Sequence, residues 1–176
     1  DEFLRYDFGK EHALREVRLK LARDLIASYG LIRDGVDELR PAPAGDAAIL
    51  RVHSPEYLGI VRKLSADPSG TSYEHGLGTA DNTVFAGMYE AAALQVCATA
   101  RECEEVVSGR HLRAFNLCGG FHHAMRDRAS GFCILNDVAI GITSLLEEFG
   151  LERILYVDVD AHHADGVQAI FYEDPR

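Results

Sequence analysis

The feature that most constrains this chain is the run Ile154-Leu-Tyr-Val-Asp-Val159, almost entirely apolar, which follows a helical pattern and runs straight into a dense polar cluster. Such a run reads as a strand buried on both faces, the habit of parallel sheets covered by helices. The preceding segment from Val138 to Phe149 has helical periodicity, with Asn136 or Asp137 as N-cap and Gly150 as terminator, and Leu112 to Leu117 reads as a further strand. Strand, helix, strand in this order predicts an α/β fold with a parallel sheet, in which ligands gather beyond the carboxyl ends of strands.

Upstream, Phe3 to Tyr6 is predicted as a short strand, and Leu14, Val17, Leu21 and Leu25 recur at helical spacing up to Gly30. Ser54 followed by Pro55 is an N-cap with proline at the first helical position, opening a helix to about Ser65. From Ala66 to Asn82, Pro68, Gly70, Gly76 and Gly78 interrupt any periodicity, giving the longest loop and a candidate binding rim. Val84 to Val107 carries the longest helical stripe, with Phe85, Met88, Ala92, Val96, Thr99, Cys103 and Val106 on one face and Gly109 after it. No repeat or linker divides residues 1–176, which read as one domain or part of one. The chain opens without methionine and stops at Arg176 just after a short helical pattern, so a portion of a longer domain is expected.

With 47% hydrophobic residues a buried core is expected, and a formal charge of -10 disfavours nucleic acid and anionic membranes as partners. Cys97, Cys103, Cys118 and Cys133 form no C-x-x-C pair, and no apolar run is long enough to span a bilayer, so reduced thiols and a cytoplasmic location are expected.

Two clusters carry the chemistry. In Gly119-Gly120-Phe121-His122-His123, paired glycines let the backbone turn tightly and bring two imidazoles to one site. In Asp158-Val-Asp160-Ala-His162-His-Ala-Asp165, alternate residues of an extended segment project together, so Asp158, Asp160 and His162 share a side. Adjacent histidines backed by carboxylates can divide electrostatic support and proton transfer between them. Asp160 and His162 form a two-ligand clip for zinc, whose catalytic sites take three protein ligands and keep a position for water.

The segments A-F-N-L-C-G-G-F-H-H-A-M-R-D-R-A-S-G-F-C-I-L-N-D from Ala114 and L-Y-V-D-V-D-A-H-H-A-D-G-V from Leu155 resemble the histone deacetylase superfamily. The likeness extends to Y-D-F-G-K-E-H at Tyr6, R-V-H-S-P-E-Y-L at Arg51 and G-L-G-T-A-D-N at Gly76, and the nearest branch looks like the prokaryotic acetoin-utilisation-type deacetylases. The resemblance implies a three-layer α/β/α fold of the arginase/deacetylase type, of which this chain is the N-terminal half. It implies Asp160 and His162 as zinc ligands, His122 and His123 as the tandem catalytic histidines, and Asp158 and Asp165 as their carboxylate partners. Gly131 and Phe132 would line a tunnel for an acyl-lysine side chain, Asp81 would hold the substrate backbone, and backbone oxygens around Asp158 to His162 would hold a potassium ion. The implied reaction is hydrolysis of an acetyl-lysine-type amide in an acetylated protein or small acetylated amine, with a homo-oligomer compatible. The family's third zinc ligand, an aspartate, and its oxyanion tyrosine fall in later segments, so this chain alone is expected to be inactive.

The sequence departs from the family's pattern at Ala13, Glu16, Thr83, Ala86 and Leu117, where proline is usual, and at Ala164, where glycine is usual. Three rivals compete with this reading. A two-manganese ureohydrolase would use D-x-H-x-D, which Asp160-Ala-His162 begins but Ala164 interrupts. A hydrolase could use Ser130 or Cys133 as nucleophile, and a degenerate module could bind acylated lysine without turnover.

Overall fold

The computed structural model describes residues 2–176. The helical periodicities become α1 (Val17–Ser28) and, beyond a single turn α2 (Asp46–Ile49) that the sequence pattern does not predict, α3 (Pro55–Ala66), α4 (Met88–Val107), α5 (Asp137–Glu147) and α6 (Asp165–Phe171). Their ends follow the capping chemistry of the sequence. The Ser54 hydroxyl accepts the Tyr57 N–H at the start of α3, and the Asn136 side chain accepts the Ala139 N–H at the start of α5. Gly30, Gly109 and Gly150, beyond α1, α4 and α5, adopt positive φ. Helix α4 begins at Met88 rather than Val84, because Gly87 at φ +78° lies outside helical backbone space.

Helix α4 is the spine of the interior and packs on both α5 and α3. Its contact with α5 is close because of Gly141, where a Cβ would lie 3.2 Å from Cys103 Sγ and from Thr99 Cγ2. Ala91, Ala92, Ala93 and Val96 of α4 join Tyr57, Val61, Ile134, Ala139 and Ile140 in one core. Tyr57 is fully buried and donates its hydroxyl hydrogen to the Ile134 carbonyl at 2.7 Å. Val106, expected on the buried stripe, is 41% exposed where α4 runs past the core.

The strands predicted from the sequence are not formed. Residues Glu2–Arg5 make a 3₁₀ turn, after which Tyr6 and Phe8 enter an aromatic cluster with Phe85 and Phe121. A single turn is enough to send these rings inward, and no neighbouring backbone offers Phe3 to Tyr6 a ladder. Neither Leu112 to Leu117 nor Ile154 to Val159 forms a ladder, although the Ile154 N–H donates to the Arg176 carbonyl at 2.8 Å; the bridges among the described residues are the isolated Ser72–Leu77, Met125–Arg128 and Ser130–Cys133. A strand exists through hydrogen bonds to a neighbour, and apolar composition cannot replace that neighbour. Leu155, Val157 and Val159 are accordingly 86%, 68% and 93% exposed, where burial on both faces was expected. The parallel sheet of the expected α/β/α fold is therefore absent among the described residues, and what is built is its helical packing and the loops bearing the polar clusters. Helix α1 begins at Val17, not Leu14, and its Leu21 and Leu25 also face solvent.

His53 ties the helical core to the later loops. It is fully buried, its Nδ1 donates to the Arg126 carbonyl at 3.2 Å and its Nε2 accepts the Asn136 N–H at 3.0 Å. Burial brings its pKa from 6.5 down to about 4. The unfolded chain therefore takes up a proton below pH 6.5 that the folded chain refuses until about pH 4, and stability falls with pH through that window. Glu102, raised to about 7 by burial and then by Asp137, acts in the opposite sense, so the effect is read by difference. His53→Gln should remove about 3 kcal/mol of acid sensitivity between those limits, measured as a smaller drop in the urea midpoint than the unsubstituted chain shows.

Candidate active site

The loop from Cys118 to Ala124 carries the paired histidines across the N-terminus of α5. Gly119 is required there, since a Cβ would lie 2.7 Å from Asp137 Oδ2 and 2.8 Å from both Asn116 Nδ2 and Thr99 Oγ1. The next residues place the rings of His122 and His123 with centroids 4.1 Å apart. His122 Nδ1 lies 2.7 Å from Asp158 Oδ2, and His123 Nδ1 lies 2.6 Å from Asp165 Oδ1. Because an ionised carboxylate only accepts, each Nδ1 bears the hydrogen and each Nε2 is left free for chemistry.

The two carboxylates differ in setting. Burial would raise the Asp158 carboxyl, but hydrogen bonds from the Tyr156 hydroxyl and the His122 ring outweigh it and hold the pKa at about 2. Tyr156 is correspondingly raised, by burial and then by that bond. Asp158 Oδ1 also accepts the Asp160 N–H at 2.9 Å. Asp160 Oδ1 accepts from His162 twice, from the backbone N–H at 2.7 Å and from ring Nδ1 at 2.9 Å, and these bonds lower its pKa. The His162 ring stands 6.0 Å from that of His123. Asp158, Asp160, His162 and the histidine pair thus lie together as expected, with His122 6% exposed but the side chains of Asp160 and His162 52% and 77% exposed.

Gly131 abuts the His123 ring, for a Cβ there would sit 2.4 Å from His123 Cδ2. Phe132 takes φ +69°, unusual for a side-chain-bearing residue, and Tyr6 braces it by donating to the Phe132 carbonyl at 2.8 Å and accepting the Ile134 N–H at 3.0 Å. Asp81 lies on the long loop, and its carbonyl accepts from His12 Nε2 at 3.1 Å while the His12 ring packs edge-on against Phe132. His12 thereby links Asp81 to Phe132, a role its isolated position in the sequence gave no sign of. The sequence pattern likewise marks Asn136 and Asp137 only as caps and Tyr156 only as a strand residue, although Tyr156 stands two positions before Asp158 and so shares its side. Ala164 takes φ -75°, so this position does not call for the left-handed backbone that favours glycine.

For a metal, the chain offers one carboxylate and one imidazole at Asp160 and His162. Among the described residues no group of three His, Cys, Asp or Glu side chains is gathered to hold an ion. The donors fit two of the three ligands of a catalytic zinc and do not complete the set.

The sequence matches the histone deacetylase domain over residues 12–176. The chain belongs to the histone deacetylase family. It is 42% identical to the acetoin utilization protein AcuC of Bacillus subtilis (strain 168), covering 97% of this chain and 44% of that protein. It is 35% identical to histone deacetylase 2 of Oryza sativa subsp. japonica, covering 97% of this chain and 34% of that one. A crystal structure of a histone deacetylase homologue from Aquifex aeolicus superposes with a TM-score of 0.82 at 33% identity, covering 97% of this chain and 46% of its own. A homologue complexed with SAHA superposes at 0.81 and 34% identity, covering 96% of this chain and 45% of its own. The chain thus has the fold of part of a deacetylase domain and spans less than half the length of these relatives.

Within this histone deacetylase frame the rival chemistries lose their footing. The Cys133 thiol is pushed up to about 12 by burial, which keeps it protonated and poorly nucleophilic. Ala164 stands where a two-manganese site would need an acid, and Asp165, one residue later, is bonded to His123. No helix is long and apolar enough to cross a membrane among the described residues. The contact between Gly131 and His123 gives a direct check on the geometry. Gly131→Ala should displace the imidazole and remove the low-field Nδ1–H proton resonance of the His123–Asp165 pair, read by NMR, while the His122–Asp158 resonance persists.

Proposed function

We propose that this chain supplies the proton-handling groups and two metal ligands of a zinc-dependent deacetylase that hydrolyses an acetyl-lysine-type amide to an amine and acetate. The observation that carries the reading is the pair of adjacent histidines, each held through Nδ1 by its own carboxylate with Nε2 free. Asp160 and His162 would be two of the ligands of a zinc ion, which when bound would supply Lewis-acid polarisation of the amide carbonyl and of water. His123 Nε2 takes the proton of the attacking water and returns it to the departing amine, with Asp165 fixing the ring's tautomer. His122, backed by Asp158, stabilises the charge that develops on the carbonyl oxygen. Gly131 and Phe132 wall the acyl-lysine side chain, and Asp81 accepts from the substrate backbone. A potassium ion held by backbone oxygens around Asp158 to His162 would stiffen the ligand segment.

The substrate is an acetylated protein or a small acetylated amine, and the net charge of -10 favours a basic one. Homo-oligomerisation and a cytoplasmic location are compatible with this chemistry. The test is acetate release from an acetyl-lysine peptide by the full-length protein, with and without a chelator. His123→Ala should lower kcat by about 10²- to 10⁴-fold with zinc content unchanged by metal analysis. Retained turnover in that variant would remove His123 from proton transfer, and peptide binding without any turnover would favour the non-catalytic module.

A further inference from the structure

We propose that Asn136 and Asp137, the dipeptide that opens α5, are positioning residues that grip the backbone on both sides of the histidine pair and set where His122 and His123 point. The proposal deepens the deacetylase reading and rests on it for its kinetic readout.

Both residues are 0% exposed. Asp137 Oδ1 accepts the Phe121 N–H at 2.7 Å, and Oδ2 accepts the Gly120 N–H at 3.1 Å and the Thr99 hydroxyl at 2.5 Å. Asn136 Nδ2 donates to the carbonyls of His122 at 3.3 Å and Ala124 at 2.9 Å. One dipeptide therefore fixes donors just before the pair and acceptors within and just after it. Capping alone does not account for this. An N-cap needs a single acceptor, which Asn136 Oδ1 supplies to the Ala139 N–H at 2.9 Å. The amide hydrogens of Asn136 and both oxygens of Asp137 are directed instead to the histidine loop and to Thr99.

The cost of burying a carboxyl points the same way. Burial pushes Asp137 up against the pull of Thr99, Phe121 and Gly120, a penalty that a small apolar residue at this position would avoid. The dipeptide is itself anchored, because the Asn136 N–H is held by buried His53. The grip matters for chemistry because a displacement of about 1 Å at a reacting group can cost about 100-fold in rate.

The test uses the full-length protein with Asn136→Asp, which keeps the capping oxygen and removes the two donated hydrogens, and Asp137→Asn, which is isosteric. Asn136→Ser, also a capping residue, replaces Asn136→Asp if the latter does not fold. The expected result is a fall in kcat of about 100-fold with KM within about twofold and zinc content unchanged, together with shifted low-field Nδ1–H resonances of His122 and His123. Variants that lose thermal stability but keep kcat per folded molecule and both resonances would overturn the proposal and leave a structural cap. If the unsubstituted protein shows no deacetylation, the deacetylase reading fails, and the resonances alone then decide: moved, the positioning role stands; unmoved, it falls.

Discussion

The carbonyl of His122 is the point on which the site depends. It accepts the Val167 N–H from α6 at 3.1 Å and the Asn136 amide from the start of α5, so it joins the two polar clusters of the sequence. The approach is possible only because residue 166 is glycine, where a Cβ would lie 2.5 Å from the carbonyl oxygens of both His122 and Ala124. With that contact made, Asp165 one residue earlier has little choice of position and meets His123. Helix α6 is only seven residues long, too short to be stable by itself. Its order comes from docking on the histidine loop, and the carboxylate that backs His123 is delivered as a consequence.

What could be read in the sequence was whatever is local. Helix ends at Ser54, Asn136, Gly109 and Gly150 are set by side-chain acceptors and by glycine's access to positive φ within a few residues. The polar clusters were legible because alternate spacing puts Asp158, Asp160 and His162 on one side, and because imidazoles need carboxylates behind them. Illegible were the features made by contacts far apart in the chain. Nothing local announces that His12 will hold the Asp81 carbonyl, that Tyr6 will brace a strained Phe132, or that Asn136 and Asp137 will use most of their polar atoms outside α5. The strands failed for the same reason. The apolar run at 154–159 records what the segment is suited to, while a ladder needs a second backbone that the described residues do not bring alongside it.

This division leaves the two halves of the site unequally supported. The histidine half is enclosed by α4, α5 and α6, and its hydrogen bonds reach the core through Asn136, Asp137 and His53. The other half, with Asp160 and His162, rides on a segment whose Leu155, Val157 and Val159 are bare to solvent and whose hydrogen bonds run mainly between its own side chains and backbone. It is tied to the enclosed half on one side by the bond from His122 to Asp158 and on the other by the bond from His123 to Asp165. A metal centre requires its ligands to be held against the ion's preferred geometry, and such precision comes from packed surroundings. On the proposed reading, proton handling would be organised by the packed histidine loop, whereas metal affinity would depend on how firmly the exposed 154–162 segment is held. On that reading the two halves are coupled through the His122–Asp158 and His123–Asp165 hydrogen bonds, which flank the segment carrying Asp160 and His162.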